Sequence, residues 1–270
     1  MFALGLRDND TSTTAPFSIE QFLDHLLSYG FNHLMLNIYA NHSNWNENMS
    51  PYPHAPRLSP PPRAPWQSLE DQTLLDLQFF DNWDRVMAAL EKRRQVAHLM
   101  LSVGNKNVQW PDIDSPADNL YWTYVMARIG QHPSVVLDVS KEAGSYHPFS
   151  ISVAQRRLQT IHQLNPHQRL LTSHSGMHWS NTCENDLQKD PNATPHTTLC
   201  SMQVHHTPHN DTYWYHYLLN KTKLYPNLPL VNVEYMYEAG DLRACNGSAG
   251  HDCMSSPADV DVMRQVCLCL

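Results

Sequence analysis

Short apolar runs alternate with amphipathic segments along most of the chain, a pattern typical of repeated strand–helix units. The apolar runs predict seven strands, at residues 2–6, 33–39, 96–103, 135–139, 169–172, 199–204 and 230–233. Helical periodicity predicts helices between Ser18 and Gly30 and at residues 83–95, 117–129, 153–164, 213–224 and 257–270. This order of elements predicts an α/β fold whose strands are parallel.

Local signals support the first helix and the long connection after the second strand. Ser18 is placed to cap the helix, Gln21 completes a capping box, and Gly30 ends it. Residues 41–69 are rich in proline and too long for a simple turn. We expect this insertion to form a loop over the active face.

The number of strand–helix units and the chain length fit one (β/α)₈ barrel of the TIM type, a fold of about 250 residues. The chain has 270 residues, and no predicted strand follows the last helix. We therefore expect a single barrel domain over residues 1–270 that lacks its eighth strand, and we expect the chain to be a fragment.

Charge and composition exclude several kinds of partner. The formal net charge is −8, and 16% of the residues are charged, with no run of lysine and arginine. Neither nucleic acid nor an anionic membrane surface is an expected partner, because both attract basic surfaces. No segment reaches the roughly 18 apolar residues of a membrane span. The nine glycines include no phosphate-binding loop, so no nucleotide cofactor is expected.

Cysteines and glycosylation sequons favour an oxidising compartment. All six cysteines lie in the last third of the chain, and Cys183–Cys200 and Cys245–Cys253 are candidate loop disulfides. The sequons begin at Asn41, Asn48, Asn192, Asn210, Asn220 and Asn246. These features predict a secreted glycoprotein. Because the first residues have no signal-peptide pattern, secretion would require a leader that precedes this chain.

Two glutamates follow predicted strands at corresponding positions. Glu142 ends SVVLDVSKE after the fourth strand, and Glu234 follows the seventh strand in LPLVNVEY. Parallel barrels keep their chemistry at the carboxyl ends of the strands. Two carboxyl groups about 5–5.5 Å apart can act as acid/base and nucleophile of a retaining glycosidase. The pair therefore predicts glycoside hydrolysis.

Longer segments around these glutamates resemble a known family. LVNVEY resembles the nucleophile strand of clan A glycoside hydrolases, and VVLDVSKE resembles their acid/base strand. The run DNLYWTYVMARIGQHPSVVLDVSKE is similar to the apiosidase-like catalytic-domain family of that clan, as are FSIEQFLDHLLSYGFNHLMLNIY and RLLTSHS. The resemblance covers most of residues 2–266 and implies a TIM barrel that acts as a glycosidase.

The resemblance assigns separate roles to the two glutamates. Glu142 would be the general acid/base and Glu234 the nucleophile. Clan A enzymes usually carry asparagine before the acid/base, where it binds the sugar 2-hydroxyl, whereas this chain has Lys141. A lysine is a longer point charge without an acceptor atom. It could donate to a sugar hydroxyl or pair with Glu142.

Other polar and aromatic residues are candidates for substrate binding because they follow predicted strands. Aromatic rings stack on sugar faces, although for any single ring packing is the commoner role. His174 matches a histidine that the family carries after the fifth strand. The candidates are Asp8, Asn37, His174, Trp179, His205 and Tyr235, with Trp45 and Trp110 as further loop aromatics.

The sequence is also compatible with two other functions. A non-catalytic carbohydrate-binding relative would keep the fold and lose the asparagine before Glu142. A metal-dependent hydrolase barrel would use the histidines after the fifth and sixth strands, although such barrels commonly carry a His-X-His pair where this chain reads GLRDND. The glycosidase reading requires no cofactor and no metal.

Overall fold

The computed structural model describes residues 19–39, 63–104, 108–144, 150–173, 196–203 and 211–234. Within these residues, strands and helices alternate, as the sequence pattern predicts. The strands are β1 (His33–Asn37), β2 (Val96–Met100), β3 (Val135–Asp138), β4 (Leu170–Thr172), β5 (Cys200–Gln203) and β6 (Leu230–Glu234). The helices are α1 (Ile19–Ser28), α2 (Leu77–Lys92), α3 (Pro116–Arg128), α4 (Ile151–Gln163) and α5 (Asp211–Leu224).

All described strands pair in parallel. Strands β1 to β4 form one sheet in sequence order, and β5 pairs with β6. Hydrogen bonds join the two groups, because the Thr198 amide donates to the Leu171 carbonyl at 2.8 Å and the Ser201 amide donates to the Thr172 hydroxyl at 3.2 Å. The described strands therefore follow one another in space in the order of the chain, without a pairing between β6 and β1.

Polar side chains at the first turns of three helices determine where these helices begin. Asp76 accepts hydrogen bonds from the amides of residues 78 and 79 before α2, which explains why this helix starts earlier than the predicted residue 83. Ser115 and Ser150 cap α3 and α4 in the same way. Each cap satisfies amides that have no partner within the helix.

One face of the four-stranded sheet, here called the outer face, is apolar and packs against the helices. Leu36, Leu99, Leu137 and Leu171 lie side by side across β1 to β4 and are almost fully buried. They pack in one cluster with helix residues such as Phe80, Met87, Leu90, Trp122, Val125 and Leu158. Burial of these side chains is the main contribution to stability in this half of the molecule.

The opposite face, here called the inner face, carries the alternate side chains of each strand and is more polar. Asn37, Met100, Asp138 and Thr172 lie at one level across the four strands, all buried. The strands begin around a common space, since residues at the starts of β1, β2, β4 and β6 line one cavity of about 640 Å³. The sheet therefore has an apolar outer face that packs against the helices and a more polar inner face.

The strand predictions for residues 33–39 through 230–233 are confirmed with ends shifted by a few residues. The predicted first strand and last helix lie outside the described residues. Residues 63–69 are the described end of the proline-rich insertion, and they pack against the hydrophobic core. Trp66 is buried there and pairs with Leu75 in an antiparallel bridge. Cys200 is the one cysteine among the described residues, so both expected disulfides stay predictions. None of the described helices is long and apolar enough to cross a membrane.

Candidate active site

The backbone that carries Glu142 continues β3 past its last residue. The Val139 amide donates to the Thr172 carbonyl at 2.9 Å, and the Lys141 amide donates to the Ser102 carbonyl at 2.9 Å. The Ser102 hydroxyl donates in turn to the Val139 carbonyl at 2.6 Å. Residues 139–141 are thus held between the extensions of β2 and β4.

The chain leaves this extended path at Glu142, whose φ of 52° lies in the left-handed region. Non-glycine residues adopt this conformation rarely, and it persists where the surroundings determine it. The turn brings the side chains of two successive residues together, which an extended strand would separate. The Lys141 ammonium donates to Oε1 of Glu142, and only 12% and 9% of the two side chains are exposed.

A buried carboxylate supports this turn from the inner face. Asp138 is fully buried, and its Oδ1 accepts a hydrogen bond from the Ser140 amide at 3.2 Å. Its Oδ2 lies 3.0 Å from Nε2 of His98, which is also fully buried. The carboxylate therefore connects β2 to the backbone just before Glu142.

The histidine contact extends to the start of β1. Nδ1 of His98 lies 3.2 Å from Nε2 of His33, and the two rings are stacked with centroids 5.3 Å apart. Loss of hydration, and then the charge of His98, lower the pKa of His33 to about 4. His33 is therefore neutral at neutral pH, and it borders the cavity at the start of the strands.

Of the other predicted site residues, Asn37 and Glu234 are described by the structure. Asn37 is 1% exposed at the end of β1, at the level of Asp138 on the inner face. Glu234 is the last residue of β6 and pairs in register with Gln203, next to an irregularity in β5. The strand ends thus carry both glutamates. Outside the described residues lie Asp8, His174, Trp179, His205 and Tyr235.

Trp110, one of the expected loop aromatics, packs against the protein. Its Nε1 donates to the Val103 carbonyl at 2.8 Å, and its ring meets Trp66 and Tyr121 edge to face with centroids 5.4 and 5.5 Å away. These contacts favour packing rather than sugar stacking. Among the described residues, no group of three or more histidine, cysteine, aspartate or glutamate side chains could hold a metal ion.

Asp138, His98 and Ser102 are site residues that sequence reasoning missed. Asp138 and His98 had a signal in the sequence, because an aspartate and a histidine interrupt the apolar runs VVLD and VAHLM, whereas Ser102 had none. A charged residue inside such a run needs a buried partner. The register that makes His98 the partner of Asp138 appears only in the folded sheet.

Several solved structures with a similar fold are described as glycoside hydrolases. A glycoside hydrolase of Bacteroides vulgatus has a TM-score of 0.60 at 16% identity, covering 85% of this chain and 42% of that one. A family 5 glycoside hydrolase of the same organism has a TM-score of 0.59 at 11% identity, with coverage of 82% and 46%. An endocellulase of Pyrococcus horikoshii has a TM-score of 0.57 at 16% identity, with coverage of 99% and 81%.

The chain spans less than half the length of the two Bacteroides proteins. None of the curated proteins compared with the chain matches it in sequence. The family of apiosidase-like catalytic domains matches residues 10–260. The chain belongs to this family, which confirms the resemblance drawn from its strand and helix segments and supports the predicted glycosidase class.

Proposed function

We propose that the protein is a retaining glycoside hydrolase in which Glu234 is the nucleophile and Glu142 the general acid/base. The observation that carries the proposal is the placement of both glutamates at the carboxyl ends of parallel strands. Glu142 follows β3 in a supported turn, and Glu234 ends β6. Family membership supplies the reaction class. We further propose that the strands close into a (β/α)₈ barrel, which would bring these two ends to face each other.

The proposed reaction has two steps. In the first, Glu234 attacks the anomeric carbon while the carboxylic acid of Glu142 protonates the leaving oxygen. In the second, Glu142 acts as a base and removes a proton from the water that releases the sugar. No cofactor takes part. Asn37, on the inner face near these strand ends, is proposed to hydrogen-bond a sugar hydroxyl, as are Asp8, His174 and His205, while Trp179 and Tyr235 stack on the sugar.

Lys141 affects the two steps differently. A contact between ammonium and carboxylate suits Glu142 as a base, because the base of the second step is charged. The first step needs the proton on Glu142. A substrate hydroxyl or carboxylate at this place would then accept a hydrogen bond from the ammonium of Lys141.

The contact of Lys141 with Glu142 also favours a second candidate function. In a carbohydrate-binding protein that lost catalysis, the lysine would keep the Glu142 carboxylate engaged in an ion pair. Such a protein would bind the sugar without cleaving it. Turnover separates this function from the hydrolase.

The proposal is tested with aryl β-glycosides, apiosides and β-1,4-glucans offered to the purified protein. We expect cleavage of at least one class by the wild-type chain, and a loss of about 10²–10⁴-fold in kcat for Glu142→Gln on substrates with poor leaving groups. Azide should restore turnover of Glu142→Gln on an activated aryl glycoside, since a small anion needs no base. It should not restore turnover of Glu234→Gln.

Glu91→Gln is a matched control, because Glu91 lies on α2 and contacts His132 rather than the strand ends. It should retain wild-type kinetics. The wild-type protein could instead bind a sugar without cleaving it, with the same affinity in Glu142→Gln. That result would overturn the hydrolase proposal in favour of the carbohydrate-binding protein.

A further inference from the structure

The turn before Glu142 depends on a buried polar group that takes no direct part in the proposed reaction. We infer that Asp138, held by His98, is a positioning residue that fixes the backbone in which Glu142 adopts its left-handed conformation. This inference rests on the proposed role of Glu142 as acid/base. Asp138 and His98, on the inner face of β3 and β2, would then contribute to catalysis as well as to stability.

The geometry of the turn links Asp138 to the backbone before Glu142. Residues 139–141 are held by backbone bonds to β2 and β4, but these bonds continue a ladder and do not select a turn. The bond from the Ser140 amide to Oδ1 of Asp138 spans two residues, a contact by which aspartate side chains commonly stabilise turns. It lies immediately before the positive φ of Glu142.

The Asp138 side chain has little freedom to point elsewhere. Its side chain is fully buried, so its carboxylate needs hydrogen-bond donors within the protein. His98 supplies one from β2, and the His98 ring is held in turn by the stacked ring of His33. One oxygen faces His98 and the other faces the Ser140 amide, which fixes the orientation of the carboxylate.

The position of the Glu142 carboxyl group determines the rate of proton transfer. A proton donor works only within hydrogen-bond reach of the leaving oxygen, and a shift of about 1 Å at a catalytic group can cost roughly 10²-fold in rate. If the contact to Ser140 is lost, the left-handed residue can relax to a commoner conformation. Relaxation would move the Glu142 carboxylate without removing it.

The kinetic test compares two leaving groups in Asp138→Ala, Asp138→Asn and the wild-type protein. A 2,4-dinitrophenyl glycoside leaves without much protonation, whereas a 4-nitrophenyl glycoside of the same sugar needs more help from the acid. We expect Asp138→Ala to lose about 10²-fold or more in kcat/KM on the second substrate and about 10-fold or less on the first. Asp138→Asn keeps an oxygen that accepts from Ser140, so it should recover most of this difference.

Asp118→Asn is the matched control, because Asp118 is also buried but accepts its hydrogen bonds from Arg157, Trp122 and the Asp114 amide. It should lower thermal stability and leave the ratio between the two substrates unchanged. Equal losses on both substrates in Asp138→Ala, in proportion to the loss of folded protein, would overturn the positioning role.

Hydrogen–deuterium exchange of the peptide covering residues 135–144 tests the same link without turnover. Faster exchange at residues 140–142 is expected in Asp138→Ala and not in Asp118→Asn. Unchanged exchange there would overturn the inference by itself. A wild-type protein that cleaves no glycoside, with the exchange difference still present, would refute the proposed function and leave the structural link between Asp138 and the turn in place.

Discussion

Two buried aspartates, Asp118 and Asp138, show how the same residue type serves different ends in this molecule. Asp118 lies between helices α3 and α4, where its carboxylate meets the guanidinium of Arg157. Asp138 lies on the inner face of the sheet, where its carboxylate meets His98. The two side chains are 6% and 0% exposed, so burial alone does not distinguish them.

The partners of the two aspartates make the difference. Arg157 lies over the Trp122 ring at 5.6 Å and pairs with Asp118, so its planar guanidinium joins α3 to α4. His98 lies on β2 and contacts a second histidine, His33. The outer pair, Asp118 and Arg157, stabilises the packing of helices on the core. The inner pair, Asp138 and His98, connects to the backbone of the candidate catalytic turn.

The largest effect on stability is expected from breaking the outer pair. Arg157→Met leaves the Asp118 carboxylate buried without its guanidinium, which costs about 3 kcal/mol because Trp122 and the Asp114 amide still donate to it. We expect the melting temperature to fall by about 6–12 °C. Leaving-group preference should not change, since this pair does not contact the strand ends.

Arg156→Met is the matched control for this change. Arg156 is the neighbouring residue and also contacts Asp114, but both side chains are 59% exposed. Exposed pairs contribute little, so its effect on unfolding should stay below about 0.5 kcal/mol. A loss from Arg156→Met as large as that from Arg157→Met would show that burial is not what distinguishes the outer pair.

The smallest effect is expected from the titration of His33. Its pKa is about 4 in the folded protein and near 6.5 in the unfolded chain, so the unfolded chain binds more protons between these values. Stability should therefore fall as the pH is lowered from 6.5 towards 4. Because His33 faces the open cavity, solvent reduces the effect to about 1 kcal/mol.

The contribution of His33 is isolated by His33→Asn, which cannot take up a proton. The slope of unfolding free energy between pH 6.5 and 4 should be smaller in this variant than in the wild-type protein. His25→Asn is a suitable control, since His25 lies on α1 against Tyr29 and away from the sheet. An identical slope in His33→Asn and wild type would contradict the assigned pKa.

Elements of the fold with local signals could be predicted from the sequence. The strands at His33, Val96, Val135 and Leu230 follow from apolar runs, and Gly30 ends the first helix region at a φ of 85°. The start of α2 is the exception, at Leu77 rather than the predicted residue 83, because its cap at Asp76 precedes the apolar stripe by several residues. Local patterns therefore identify elements better than their ends.

The details of the candidate site were not predictable, because they depend on register between strands. The strand-end position of Glu142 follows from the sequence, but its left-handed backbone and its contact with Lys141 do not. The pairing of Asp138 with His98 joins residues 40 apart and needs the parallel register of β2 and β3. Tertiary packing, rather than local propensity, arranges these groups.

The central claim, that Glu234 and Glu142 form a nucleophile and acid/base pair, is tested most directly by covalent trapping. A 2-deoxy-2-fluoro form of the cleaved sugar, with an activated leaving group, slows release of the glycosyl-enzyme more than its formation. Intact mass should increase by one fluorosugar per chain, and peptide mapping should place it on Glu234. An active wild-type protein that forms no adduct, or carries it on a different residue, would contradict the account.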